Sequence, residues 1–298
     1  MNAIVNFNHL SNVKYEQVET RFDHEFGVIW SIMQPEPRPC FNQVCLSELL
    51  HHQLEIRRNS GVMTSQGKAH QVNYHVFSSN VEGVFNLGGD LSIFKQLILA
   101  KDRAHLLEYA TMCVDNVWNF YHMDAPITTI ALVQGQAMGG GFEAALSAHV
   151  MVAEKSAMMG LPEVLFNLFP GMGALSFLTR KIGLSEAEKL VRSGKVYTGE
   201  ELYALGVVDV LAEDGQGEIA MQQWIKKNHR SLNSHQAITR AKQRINPLKY
   251  DELYDITEIW VDAALNLNEK NLRVMERLVR AQNTKAKAVC QPDIKKTA

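Results

Sequence analysis

Two glutamates, Glu143 and Glu163, lie twenty positions apart in a stretch punctuated by glycine. Glu143 follows Gly139-Gly140-Gly141 after one residue, and Glu163 sits in Gly160-Leu161-Pro162-Glu163, a proline-containing turn. Carboxylates so placed can move protons on carbons next to a carbonyl. The glycines run into a predicted helix, whose first backbone N–H groups lack intrahelical partners and carry partial positive charge. Three glycines let a substrate come up to that backbone. Such a junction can hold a carbonyl oxygen that is gaining negative charge. Gly88-Gly89-Asp90 repeats the pattern, because the apolar Val84–Leu87 ends in two glycines just where another helical pattern begins. If the two junctions meet in space, one oxygen is gripped from both sides. Taken singly, each feature reads as well as a tight turn, with a glutamate that merely suits the helix dipole. A nucleotide loop fits less well. The spacing is G-x-x-x-G-G-G rather than G-x-G-x-x-G, and G-x-x-x-x-G-K-[ST] is absent.

The elements that must position these residues are legible from periodicity. Thr129–Val133 reads as a short buried strand before the glycines, and a helix is expected from about Phe142. Phe26–Met33 and Val72–Phe77 read as strands, and Leu46–Ser60 as a helix with apolar residues at helical spacing. Three prolines within Gln34–Pro39 must break structure. One long helix is expected over Leu91–Met123. Further helices are expected at Ala174–Ile182, from Leu184 with Ser185 as its cap, and from Thr198, with a strand at Gly206–Val210. The polar run Glu213–Gly217 reads as a linker, and helices dominate beyond it. Strands alternating with helices, then helices alone, predict an α/β body with a helical extension. The expected divisions are an N-terminal extension over 1–25, an α/β core over 26–212, a helical region over 218–289 and a frayed tail over 290–298.

At 298 residues the chain can bury a sizeable core. A net charge of −2 gives no reason to expect nucleic acid as a partner. Cys40, Cys45, Cys113 and Cys290 show no metal spacing, so free thiols, a reducing compartment and no metal or cofactor are expected. His51 and His52 would point apart on a helix and make a poor metal pair, and His149 reads as a satisfied interior histidine. No basic leader precedes an apolar core, and no apolar run is long enough to span a bilayer, so a cytoplasmic protein without membrane attachment is expected. The methionines Met138, Met151, Met158, Met159 and Met172 read first as core filler. The absence of G-x-S-x-G disfavours a serine thioesterase.

Four ordered segments carry a family resemblance. Phe85-Asn86-Leu87-Gly88-Gly89-Asp90-Leu91, Val133–Glu143, Gly160-Leu161-Pro162-Glu163-Val164 and Phe169-Pro170-Gly171-Met172-Gly173 resemble the signature segments of the crotonase (enoyl-CoA hydratase/isomerase) superfamily. Within it, their wording and that of Ile256–Asp262 is most similar to the diffusible signal factor synthases, which make cis-2-enoic fatty acids used as bacterial quorum-sensing signals. The resemblance implies a spiral of ββα units with a C-terminal helical trimerisation region. It implies an oxyanion hole from the backbone N–H groups of Gly89 and Gly140, with Glu143 and Glu163 as the catalytic pair. It also suggests Met172, Trp260 and Leu278 as lining for a medium-chain acyl pocket. One departure stands out: the family's R-P-x-x-x-N spacing is one residue short in Arg38-Pro39-Cys40-Phe41-Asn42.

The implied activity is dehydration of a 3-hydroxyacyl carrier-protein thioester to a cis-2-enoyl thioester, followed by hydrolysis to the free acid. An ordinary enoyl-CoA hydratase acting on coenzyme A thioesters is the nearest alternative, and a non-catalytic partner-binding protein of the same fold is a third. Implied partners are the acyl carrier protein or CoA thioester, two further copies of the chain in a homotrimer, and a sensor or receptor protein that holds the synthase.

Overall fold

The computed structural model describes residues 13–289 except 66–67 and 124–125. The frayed tail expected at 290–298, and the first twelve residues of the expected extension, lie outside the described residues.

In chain order the first elements are strands β1 (Val18–Asp23) and β2 (Val28–Met33), helix α1 (Gln43–Arg58), and strands β3 (Val62–Ser65), β4 (Lys68–Gln71), β5 (Tyr74–Ser79) and β6 (Val84–Asn86). Helices α2 (Leu91–Ala100) and α3 (Arg103–Tyr121) follow, then β7 (Thr128–Val133), β8 (Gln136–Met138), α4 (Gly140–Leu146), β9 (Val150–Glu154) and β10 (Met158–Gly160). A short 3-10 turn over Pro162–Phe166 leads to α5 (Ala174–Ile182), α6 (Leu184–Ser193), β11 (Val196–Thr198), α7 (Gly199–Ala204) and β12 (Val210–Ala212). The chain closes with α8 (Gly217–His229), α9 (Leu232–Ile245), α10 (Tyr250–Leu265) and α11 (Glu269–Val289).

Two sheets organise these elements. The larger runs β1-β2-β5-β7-β9-β12 and is parallel except for the β1/β2 pair. Every residue of β2 and β7 is buried, because helices cover both faces. Alternate side chains divide the core accordingly. Trp30, Tyr74, Val76, Ile130 and Leu132 meet Met221 and Ile225 of α8 on one face. Met33, Phe77, Ala131 and Val133 join Leu46, Leu106 and Phe142 on the other. The smaller sheet, β11-β10-β8-β6, sets β6 parallel to β8 and so brings their two glycine-bearing ends side by side.

Several sequence expectations need correction. The stretch expected as an extension contributes β1, an edge strand of the large sheet paired from Val18↔Met33 to Asp23↔Val28. The single helix expected over Leu91–Met123 is two. Lys101 takes φ 55°, and the Asp102 side chain accepts from the His105 amide to start α3. No glycine or proline marks this break. Helix α4 begins at Gly140 rather than Phe142, and Gly183, not Ser185, caps α6. The strand expected at Gly206–Val210 lies at Val210–Ala212. The linker at 213–217 separates strands from helices along the chain but not in space, since α8 packs on β7, β9 and β12. The hairpin β3/β4 and the three-residue strands of the small sheet were too short to show a period.

The exposed His51 bonds the Tyr15 hydroxyl at 2.8 Å and the buried His52 bonds the Ser31 hydroxyl at 2.7 Å, their ring centroids lying 5.8 and 6.0 Å from that of Tyr15. His149 lies just past α4; Nδ1 accepts from the Thr129 amide at 3.1 Å and Nε2 bonds the Tyr121 carbonyl at 3.0 Å.

Candidate active site

The two glycine bends meet. Gly88 takes φ 91°, and a side-chain carbon placed there would stand 2.8 Å from the Met138 carbonyl oxygen and 3.1 Å from the Gly140 nitrogen. A carbon placed on Gly140 would stand 3.5 Å from the Gly89 nitrogen. Flanking amides are already engaged: Gly88 N–H donates to Asn86 Oδ1 at 2.8 Å, Asp90 N–H to the Tyr109 hydroxyl at 3.0 Å, and Gly139 N–H to the Gly160 carbonyl at 2.9 Å. Gly140 is the first residue of α4, where an N–H has no partner within the helix. Gly89 and Gly140 both line one apolar cavity, and the structure thus brings together the pair proposed as an oxyanion hole.

The Gly89 bend is braced from behind. Phe41 N–H donates to the Gly88 carbonyl at 2.7 Å, and the Tyr109 hydroxyl donates to the Phe41 carbonyl. Arg38 binds Asp90 at 2.7 Å and Ser92 at 2.9 Å. Asn42 is the cap of α1, accepting from the Cys45 amide at 3.0 Å. The shortened Arg38–Asn42 segment is therefore occupied with shaping this bend.

Glu143 is 1 % exposed, in the first turn of α4. Its Oε1 accepts from the Met172 amide at 2.8 Å and the Ala174 amide at 3.0 Å, while the buried Oε2 has no partner. Those two amides come from the turn entering α5. That turn is propped by α10: the Thr257 hydroxyl donates to the Gly171 carbonyl at 2.9 Å, and Trp260 packs so close to Gly171 that a side-chain carbon there would lie 2.3 Å from its ring. Glu163 sits in the 3-10 turn with Oε1 against Gly139, 2.5 Å from where a side-chain carbon would stand. The φ of 51° at Gly139 favours glycine, and a side chain there would push the Glu163 carboxyl aside. Glu163 is half-buried as a residue, yet its Oε2 is shielded from water and has no partner.

Burial pushes the Glu143 carboxyl up from the ordinary carboxylate range, and the two backbone amides draw it part of the way back. Burial also raises Glu163, and the charge of Glu143 raises it further. Two carboxyls both raised in one cavity resist ionising together, so one can hold a proton while the other is charged.

One cavity takes in the whole arrangement. Both glutamates and both glycine junctions line it, as do Met172, Trp260 and Leu278. Trp260 stacks obliquely on Phe94, with ring centroids 5.1 Å apart. Met138 lines the cavity as well, whereas Met151 and Met159 are core. Cys40, Cys45 and Cys113 are buried thiols, and Cys290 lies outside the described residues. Tyr109, Thr257, Gln53 and Asn116 were not picked out from sequence. Tyr109, Gln53 and Asn116 lie on helical patterns with no motif around them, and Thr257 lies in the resembling segment Ile256–Asp262, which by itself assigns it no role.

The chain belongs to the enoyl-CoA hydratase/isomerase family, whose pattern matches residues 32–265, and it has the crotonase fold. Among curated proteins it is similar to the human enoyl-CoA hydratase domain-containing protein 2, mitochondrial, at 32% identity over 190 residues, 63% of this chain and 60% of that protein. It is also similar to methylglutaconyl-CoA hydratase, mitochondrial, of Mus musculus, at 33% over 146 residues, 49% of this chain and 45% of the relative. The match thus spans less than two thirds of the length of these relatives. Among solved structures, Pseudomonas aeruginosa DspI superposes with a TM-score of 0.68 at 21% identity, covering 85% of this chain and 91% of that one. Human mitochondrial delta3-delta2-enoyl-CoA isomerase gives 0.71 at 15%, covering 91% and 99%. At these identities the superpositions establish the fold alone. No helix among the described residues is long and apolar enough to cross a membrane.

Proposed function

We propose that the protein removes water from, or adds it to, an acyl thioester across the α,β-carbon bond, through Glu143 and Glu163. The observation that carries this reading is the meeting of Gly89 and Gly140 in one cavity with two buried carboxyls. In the dehydrating direction one glutamate, as carboxylate, takes the α-proton of a 3-hydroxyacyl thioester. The electrons move onto the thioester oxygen, which the Gly89 and Gly140 N–H groups stabilise as an enolate; one such donor is typically worth about 3 kcal/mol. The other glutamate, protonated, gives its proton to the departing hydroxyl, which leaves as water. The apolar walls exclude bulk water and disfavour charge on both carboxyls at once.

The finer reading is a signal synthase: a medium-chain 3-hydroxyacyl carrier-protein substrate, a cis-2-enoyl product, and hydrolysis to the free acid with a glutamate activating water in the same oxyanion hole. It is supported by the segment resemblance, and by Met172, Trp260 and Leu278 all lining the cavity. A homotrimer, and a sensor or receptor holding the synthase, belong to this reading. Helix α9, which buries none of its own residues and leaves Ile238 and Ile245 exposed, supports association with further copies. The second reading, an ordinary enoyl-CoA hydratase, is favoured by relatives that carry hydratase names. A non-catalytic scaffold fits less well, because it would not need two unpartnered, buried carboxyl oxygens beside paired glycine bends.

Mass spectrometry after incubation with a medium-chain 3-hydroxyacyl group on carrier protein and, separately, on coenzyme A decides between them. A free cis-2-enoic acid supports the synthase; a trans-2-enoyl-CoA in equilibrium with its substrate supports the hydratase. No turnover of either thioester defeats both.

A further inference from the structure

The cavity has two groups of lining residues. Leu91, Phe94, Ile98, Trp260, Met275 and Leu278 come from α2, α10 and α11, which pack together. Leu46, Leu49, Phe77, Val117 and Phe120 come from α1, α3 and β5 and form an inner arm against the core of the large sheet. Beside the Cys113 thiol, that inner arm carries two amide side chains, Gln53 on α1 and Asn116 on α3, which are 4 % and 7 % exposed. Both carbonyl oxygens, Gln53 Oε1 and Asn116 Oδ1, are buried without a partner. For Asn116 the orientation is fixed: Nδ2 donates to the Leu46 carbonyl at 3.0 Å and the Met112 carbonyl at 2.9 Å, so turning the amide over would set its oxygen against two other oxygens. Two acceptors on residues that line one arm, neither taking a hydrogen bond from the protein, call for an O–H or N–H group from the ligand or solvent.

We propose that Gln53 and Asn116 are the specificity-determining residues of the inner arm: they form an acceptor subsite that selects, at the tail of the acyl chain, a hydroxyl over a methyl. The proposal rests on the reading of the cavity as an acyl-binding site. A hydroxyl reaching the pair donates to it and removes the cost of two stranded acceptors. A methyl reaching the pair seals that cost in, so an unsubstituted chain binds best when it stops short of these residues. In the rest of the arm the preference reverses, since there a hydroxyl would be buried against Phe77, Phe120 and leucine side chains with nothing to accept its proton.

Calorimetric titration of the full chain with medium-chain fatty acids and their ω-hydroxy counterparts tests this without requiring turnover. At one chain length the ω-hydroxy acid binds more tightly than the plain acid, on the order of tenfold. At shorter lengths it binds more weakly. In Gln53→Met, a swap of similar shape that keeps the Asn116 anchors on α1 and α3, the advantage disappears and longer plain acids gain. An ω-hydroxyl that weakens binding at every length in the unsubstituted protein overturns the proposal, with no variant needed. So does a length profile in Gln53→Met that superimposes on the parent. Hydroxyl preference without turnover of any thioester would sink the proposed activity and leave this subsite standing; turnover without hydroxyl preference does the reverse.

Discussion

A side-chain carbon on Gly140 would stand 3.5 Å from the backbone nitrogen of Gly89, although fifty residues separate the two in the chain. That distance is ordinary van der Waals contact, and Gly140 has no positive φ. The fold therefore tolerates alanine there, but the methyl would occupy space that a thioester oxygen needs. Gly140→Ala is expected to keep its melting temperature within about 2 °C, since no strain or cavity is introduced. Its kcat should fall on the order of a hundredfold or more. Differential scanning fluorimetry beside initial rates separates the two effects, and full activity in Gly140→Ala would refute the oxyanion assignment.

Glu163 makes the protein's stability fall with pH. Its carboxyl is raised from the ordinary 4.5, chiefly by burial. Below that ordinary value, folded and unfolded chains both carry the proton and nothing is lost. As pH rises toward the raised folded value, the unfolded chain releases its proton and the folded one resists, so the unfolded state gains. Glu163→Gln removes this term. Its melting temperature should exceed that of the parent by a few degrees at pH 8, and by less at pH 5. An equal difference at both pH values would count against a raised carboxyl.

The Tyr109 hydroxyl ties Asp90 N–H to the Phe41 carbonyl behind the Gly89 bend. Tyr109→Phe strands both backbone groups at a cost of roughly 1–3 kcal/mol, measurable by urea unfolding. Because the bend aims the Gly89 N–H proposed for the oxyanion hole, kcat should fall about tenfold with KM little changed. A loss of stability with kcat intact would make Tyr109 a purely structural prop.

Thr257 acts on Glu143 at one remove. Its hydroxyl holds the Gly171 carbonyl, and the next residues supply the amides that bind Glu143 Oε1. Thr257→Val is nearly the same shape but cannot donate. It should lower kcat about tenfold and shift the alkaline or acidic limb of the pH–rate profile, since the amides help to set the carboxyl. Thr257→Ser, which keeps the donor, should restore both. An unshifted profile in Thr257→Val would remove Thr257 from the positioning of Glu143.

The fold class was legible in the sequence, and so was where the candidate site residues would sit; several individual elements were not. Glu143 and Gly140 are three residues apart in the chain, so their joint placement follows from one helix start, and Glu163 is fixed by a proline turn nearby. The meeting of Gly89 with Gly140 depends on β6 lying parallel to β8, a pairing of three-residue strands too short to carry a period. The break between α2 and α3 was hidden because Lys101 adopts φ 55° without a glycine, and Asp102 caps a helix amid residues that all favour helix. Tyr109, Asn116 and Thr257 work through partners 68, 70 and 86 positions away. No local pattern in one sequence encodes such partnerships.

The central claim is that Glu143 and Glu163 share one proton and both move protons on the substrate. The direct measurement is product formation by Glu143→Gln and Glu163→Gln, each confirmed as folded by circular dichroism, with a medium-chain 3-hydroxyacyl thioester and mass-spectrometric detection of the 2-enoyl product. Each substitution should abolish turnover while substrate still binds. Turnover at the parent's rate by either variant would contradict the account.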